Sequence, residues 1–511
     1  MYIGALDILE LIDDTTMTFT SGHFLLFLTI LVLVYYLAAA KDRWVVLLIG
    51  SLLFAIFGGG IQVVLYPIAM TALAYGTAII IENVDATLRK RRCFLSIAVL
   101  ILVAVLTLIK CDVKFQWEFM DVVFPIGISY YTFSLISYLA DVYWGNDKAE
   151  KNPFKLLLFV IFFPKIMQGP IARHNRLAEQ LTAKHTFVYR DFCFGAQLVI
   201  WGVFKKLVIA ERAGVIVTQV FGNYENYGGG ILFVALLLEA VQLYCDFSGY
   251  MDIATGVSRM FGIALEQNFN HPFFSKSAAE FWRRWHITLG TWFKDYVYMP
   301  VSFLISPKMT KVKDWVKKHI GKQASKSVMT VIPLAVVWVL TGLWHGTGLP
   351  YIVWGIYWGC LIIFSSLFSK SVGRFMERLH INTQSSSWRM FQMIRTFLLF
   401  CLGQLITVPG DLAVTFEILK KYITDIRIWE LVDGTIYMLG LDRVNFQLML
   451  LCIGILWAVE VMQEKIRIRE SVAKWNFVFR CLFYCVAIWA VMIFGMYGPS
   501  YDANAFLYMN F

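Results

Sequence analysis

Phe24-Leu25-Leu26-Phe27-Leu28-Thr29-Ile30-Leu31-Val32-Leu33-Val34-Tyr35-Tyr36-Leu37-Ala38-Ala39-Ala40 runs for seventeen residues without a charge. As a helix rising ~1.5 Å per residue it reaches about 25 Å, close to the ~30 Å hydrocarbon core of a bilayer. Apolar runs of similar kind recur at Phe94 to Ile109, Ile231 to Cys245, Met329 to Leu343, Ile352 to Phe368, Phe446 to Ala458 and Phe477 to Tyr497. They read as about eleven to fourteen membrane helices or half-helices, so the predicted fold class is all-α and polytopic. Composition agrees: 59% of residues are hydrophobic, 16% are charged and the mean hydropathy is +0.65, outside the norms of soluble domains.

The net charge of +10 does not point to nucleic acid, because the basic residues gather in short loops between apolar runs. Lys41 and Arg43 follow the first helix, and Arg89 to Arg92 follow a hairpin turning near Gly58, Gly59 and Gly60. The positive-inside rule puts both clusters in the cytoplasm and the acidic N-terminus outside a cell membrane. Ser302 to Ser327 carries seven lysines against Asp314 alone and reads as a solvated cytoplasmic loop, or as a surface for anionic lipid or an acidic partner. The first 22 residues hold Asp7, Glu10, Asp13 and Asp14 but no Lys or Arg, the opposite of a cleavable signal, so the N-terminus is expected to stay on the chain. The nine cysteines are scattered, with no CxxC, and are assigned no chemistry.

Without a repeat or linker, residues 1–511 read as one integral domain. Its functional core is expected at about 120–370, where Pro, Gly, Arg, Asp, Asn and His mix with apolar runs. Four stretches there break the pattern of a simple span. Phe124 to Tyr131 and Phe163 to Pro170 place Pro and Gly where a helix would lose hydrogen bonds, so interrupted helices are expected. Tyr244 to Asp252 holds Asp246 and Asp252 beside Gly249; the acids fit either helix capping and pairing with Arg283 or Arg284, or positioning of the His286 region. Thr341 to Pro350 sets His345 among three glycines and a proline, which reads as an unwound segment at membrane depth.

An ionisable side chain at that depth costs about 2.5–3.5 kcal/mol and marks a functional site by default. The imidazole of His345, titrating near neutrality, suits general-base work on a hydroxyl or thioester. His286, in Glu280-Phe281-Trp282-Arg283-Arg284-Trp285-His286, fits either a supporting or a catalytic role, and Glu280 and Arg284 are spaced for a helical ion pair. Trp282, Trp285 and Trp292 fit an interfacial belt or a stacking surface. No metal-ligand pattern is read.

Together these residues resemble the membrane-bound O-acyltransferase superfamily. The resemblance rests on Asp246 to Tyr250, Asn268 to Phe273, Glu280 to Leu289, Trp292 to Tyr296 and Gly342 to Gly346, and extends to Pro125 to Phe133, Gln168 to Ile171 and Phe506 to Phe511. Within it the chain looks nearest to the alginate O-acetyltransferase branch, on Asn268, Asn270, His271 and Pro272, with the D-alanyl-lipoteichoic acid transfer branch close by. It departs from the pattern at Met509 and in the Lys-rich loop. The resemblance implies helices around a tunnel, with His345 catalytic and His286 the second important histidine. Trp282, Arg283, Arg284, Trp285, Trp344, Asp246 and Asn270 would orient the donor or stabilise charge. No bound cofactor is implied. Acetyl-CoA or an acyl-carrier thioester would be the donor substrate, and an extracellular or periplasmic, membrane-anchored, esterase-like partner would pass the acyl group to a polysaccharide. A secondary transporter or channel is the rival reading, weakened by the lack of duplicated broken helices. No Walker A loop supports an ATP-driven pump, and Arg190, five residues after His185, denies an HxxxxD motif.

Overall fold

A computed structural model describes residues 17–83, 87–115, 125, 127–307, 309–319 and 321–497. The acidic residues of the N-terminus, Phe124, Ile126 and the closing motif Phe506 to Phe511 lie outside the described residues. The described residues are 79% helical, and no strand occurs among them. Backbone amides in lipid have no water to bond, and a helix satisfies them internally. Among the described residues seven helices are long and apolar enough to cross a membrane, and three shorter apolar ones, Gly22–Leu37, Arg43–Gly59 and Met329–His345, join them. Other apolar sequence is cut into short pieces such as Pro153–Ile161, Phe163–Ile166 and Ile287–Phe293, the half-helices of the expected count.

Contacts divide the chain into two compact units. The first comprises Met1–Val208, Cys245–Glu266 and Met462–Asn510. Its helix Gly22–Leu37 is capped by Ser21, whose hydroxyl accepts from the Phe24 N–H, and the next, Arg43–Gly59, ends at Gly60 with φ 82°, where the hairpin was expected to turn. Phe19 packs edge-on to Phe24 at 4.7 Å and against Tyr250 at 5.2 Å, while Phe54 meets Phe163 at 5.6 Å. Phe163 to Pro170 is interrupted as the sequence indicates: a four-residue helix, Phe163–Ile166, leads into a buried turn with Gly169 at φ 91°.

Tyr244 to Asp252 corrects the sequence reading. It does not break a span but lies within the continuous 32-residue helix Gly229–Met260. Gly249 serves close approach instead: a β-carbon there would meet the Gly202 carbonyl oxygen at 2.8 Å. A π-helical stretch, Phe204–Ala210, follows helix Tyr189–Val203 and carries the adjacent Lys205 and Lys206. Lys206 Nζ bonds Asp246 Oδ1 at 2.6 Å and Lys205 Nζ bonds Asp252 Oδ2 at 2.7 Å. Lys206 and Asp246 are only 2% and 1% exposed, so this ion pair is buried.

The second unit comprises Ile209–Tyr244 and Gln267–Val461. Its helices Lys322–His345 and Leu349–Arg378 form a tight hairpin around Gly346 to Gly348. They touch backbone to backbone where a β-carbon on Gly342 would collide with the Tyr351 carbonyl, and one on Gly355 with the Trp338 carbonyl. The Lys-rich stretch is not the expected plain loop. Thr310–His319 is a helix whose Lys311, Lys313, Lys317 and Lys318 are exposed while Val316 is buried.

Candidate active site

His286 stands between two short helices, Ala278–Arg284 and Ile287–Phe293. Ser277 caps the first, its Oγ accepting from the Glu280 N–H, and the last turn is closed by the ion pair Glu280–Arg284 at 2.9 Å, as the spacing indicated. The chain then reverses through His286 itself, which takes φ 46° and ψ 54°. A β-carbon in this left-handed region costs about 1–2 kcal/mol, so the conformation survives only where surrounding bonds fix it. Here they come from Asn268. Its carbonyl accepts from the Ile287 N–H at 3.0 Å, and the Asn270 N–H donates to the Arg284 carbonyl at 2.9 Å. The Asn268 side chain crosses to the same turn: Oδ1 accepts from the Thr288 N–H at 3.1 Å and the Thr288 hydroxyl at 2.9 Å, and lies 3.1 Å from His286 Nδ1.

His345 is the last residue of helix Lys322–His345, which corrects the expectation of an unwound segment around it. Thr341 to His345 stay helical, and the break begins at Gly346, whose extended backbone (φ −173°) packs so closely on Tyr351 that a side chain would overlap the ring. A terminal position frees the imidazole from the next helical turn. Its ring lies edge-on to Trp354 at 4.8 Å and to Trp344 at 4.8 Å. Trp344 in turn lies 6.0 Å from the His286 ring, so one indole neighbours both buried imidazoles.

Tryptophans wall this pair. Trp282 packs edge-on against Trp338 at 5.1 Å, Trp354 at 5.6 Å and Trp358 at 5.0 Å. Trp285 stacks on Phe281 at 5.5 Å and meets Phe400 at 5.0 Å. Trp285 and Trp292 are therefore interior rings, not an interfacial belt, and Trp282 is half-buried against the other tryptophans. Water is scarce in such surroundings, and charge developing on a reacting atom is felt strongly.

Of the residues singled out from sequence, His286, His345, Trp282, Trp285 and Trp344 come together in the second unit, with Arg284 holding its helix. Arg283 is exposed. The Asn270 side chain is exposed too, and Asn268 supplies the amide instead. Asp246 belongs to the first unit, where it pairs with Lys206. Sequence reasoning missed Asn268, Trp338, Trp354 and Trp358; Asn268 stood in the same quoted motif, and the apolar runs containing the three tryptophans disguised them as packing. Among the described residues no cluster of three His, Cys, Asp or Glu could hold a metal.

The model of the family described as "MBOAT, membrane-bound O-acyltransferase family" matches residues 147–312. A probable alginate O-acetylase AlgI of Pseudomonas syringae pv. tomato is 31% identical over 413 residues, covering 78% of this chain and 73% of that protein. A peptidoglycan O-acetyltransferase of Helicobacter pylori is 30% identical over 288 residues, 51% of each chain. A teichoic acid D-alanyltransferase of Bacillus subtilis is 32% identical over 249 residues, 48% of this chain and 60% of that protein.

Proposed function

This chain belongs to the membrane-bound O-acyltransferase family, and we propose that, as an acyltransferase of the membrane, it moves an acetyl group from a cytoplasmic thioester to the outer side for O-acetylation of an extracellular polysaccharide. The observation that carries the reading is the convergence of buried His345 and His286 on the same indole, Trp344, among further tryptophans. His345 acts as the base: it takes the proton of the attacking hydroxyl as the new C–O bond forms. The C–S bond then breaks, and the imidazolium returns the proton to the departing thiolate, leaving ester and thiol. His286 supports it as the second imidazole. The aromatic wall keeps water, a competing nucleophile, from the thioester.

Acetyl-CoA or an acyl-carrier thioester is the donor, taken as substrate. A bulky polymer does not fit a site enclosed in this way, so an extracellular, membrane-anchored, esterase-like partner collects the acyl group at the outer face. The cell membrane, with the N-terminus outside, is the proposed location. Acetyl is favoured over D-alanyl by Asn268, Asn270, His271 and Pro272 and by the longer match to the alginate O-acetylases, 78% of this chain against 48%. Proteoliposomes supplied with acetyl-CoA or with a D-alanyl-carrier thioester test the reading by thiol release. Acetyl-CoA turnover without solute flux is expected; turnover of the D-alanyl thioester alone would replace acetyl with D-alanyl.

A further inference from the structure

The bonds around Asn268 fix more than a turn. The Thr288 backbone N–H, which only donates, faces the side-chain atom of Asn268 at 3.1 Å, and that atom is therefore the amide oxygen rather than the nitrogen. An amide oxygen only accepts. The contact of 3.1 Å from the same Oδ1 to His286 Nδ1 is then a hydrogen bond in which Nδ1–H donates. A neutral imidazole carries one hydrogen, so with Nδ1 protonated its Nε2 is the lone-pair nitrogen. The ring has no freedom to invert this choice: His286 is 2% exposed, its backbone is held at φ 46°, and Asn268, 3% exposed, is anchored through Ile287 and Thr288 after the turn while Asn270 bonds Arg284 before it.

We propose that Asn268 is a positioning residue that holds His286 as the Nδ1–H tautomer, so that His286 enters acyl transfer as a proton acceptor at Nε2. This rests on the acyltransfer reading above for its consequence, though not for its geometry. Neutral His286 has no N–H left to offer the thioester oxygen; what it meets at the reaction centre, a hydroxyl or the other imidazole, donates to it. The two histidines are thereby made unequal, and exchanging their roles would need the Asn268 bond to break.

The test has a structural and a kinetic arm. Protein labelled with ¹⁵N-histidine in lipid nanodiscs gives imidazole nitrogen signals by solid-state NMR, and the difference from His286→Gln identifies those of His286. A protonated Nδ1 with a bare Nε2 is expected, and in Asn268→Leu this pattern is lost. A protonated Nε2 on wild-type His286 overturns the proposal whatever the activity. In the kinetic arm, Asn268→Leu lowers kcat on the order of 10²-fold, with KM for the thioester changed less than about twofold. Asn268→Asp keeps an acceptor for Nδ1–H and restores kcat to within about tenfold. If Asn268→Leu lowers Tm alone and leaves kcat unchanged, Asn268 is only a structural brace and the proposal fails. Should Asn268→Leu not fold, the wild-type tautomer and Asn268→Asp still decide. A wild-type-like rate for His286→Gln beside the expected tautomer would count against His286 in the acyltransfer reading, not against the tautomer.

Discussion

The ring of His345 meets that of Trp354 edge-on, 4.8 Å between centroids at 72°, across the hairpin of two long helices. Trp354 also touches Trp282, four residues before His286, so one indole links both histidine-bearing segments. Trp354→Ala is expected to lower acyl transfer at least tenfold and, by opening a cavity, to cost about 3–5 kcal/mol. Trp354→Phe keeps a ring and should retain most of the stability; thiol release and thermal melting in detergent check both.

Gly342 and Gly355 let the same two helices meet without side chains between them. Gly355→Val forces a branched side chain onto the Trp338 carbonyl and is expected to destabilise by about 1–3 kcal/mol or more, moving His345 as well. The paired readout is melting temperature with thiol release: a fall in both is expected, and normal values in both would contradict the close crossing.

Lys206 and Asp246 form a buried pair, and removing one partner takes away the other's ion pair. Asp246→Asn is expected to cost about 3–5 kcal/mol, while Lys206→Met with Asp246→Leu should recover much of that loss. Denaturation of the single and double variants measures it. Equal losses in single and double variants would mean that the pair itself contributes net stability.

Orientation is open to labelling. A cysteine at 317, in a background free of native cysteines, should react with a membrane-impermeant maleimide only from the cytoplasmic side, and one at 10 only from outside. Reaction of both from one side would reverse the assigned topology.

The all-helical fold was legible because length and charge decide it: seventeen uncharged residues from Phe24 leave a chain in lipid little choice. The two histidines were legible as ionisable groups in apolar surroundings. Asn268 was harder to single out, since its partner lies eighteen residues on and is reached only through the tertiary pairing of its carbonyl with Ile287. Lys206 was invisible as the partner of Asp246 because forty residues separate them and only the tertiary fold brings them together. Gly249 misled because a glycine reads alike as a break and as a close contact. The helix Thr310–His319 left a signal that was overlooked: Val312, Trp315, Val316 and His319 recur at helical spacing beneath the lysines.

A relay needs a second polypeptide. The purified chain in proteoliposomes should bind or slowly hydrolyse acetyl-CoA without acetylating added polysaccharide, and gain polymer acetylation only with the extracellular partner. Efficient acetylation by the chain alone would refute the relay.

The most direct measurement is acetyl-CoA turnover by His345→Ala beside the wild type, both purified as monodisperse protein and reconstituted at equal density. Because the imidazole sits at a helix end, the variant should stay folded, and if His345 is the base it should release thiol at least about 10²-fold more slowly. Thiol release at the wild-type rate from folded His345→Ala would contradict catalysis by His345.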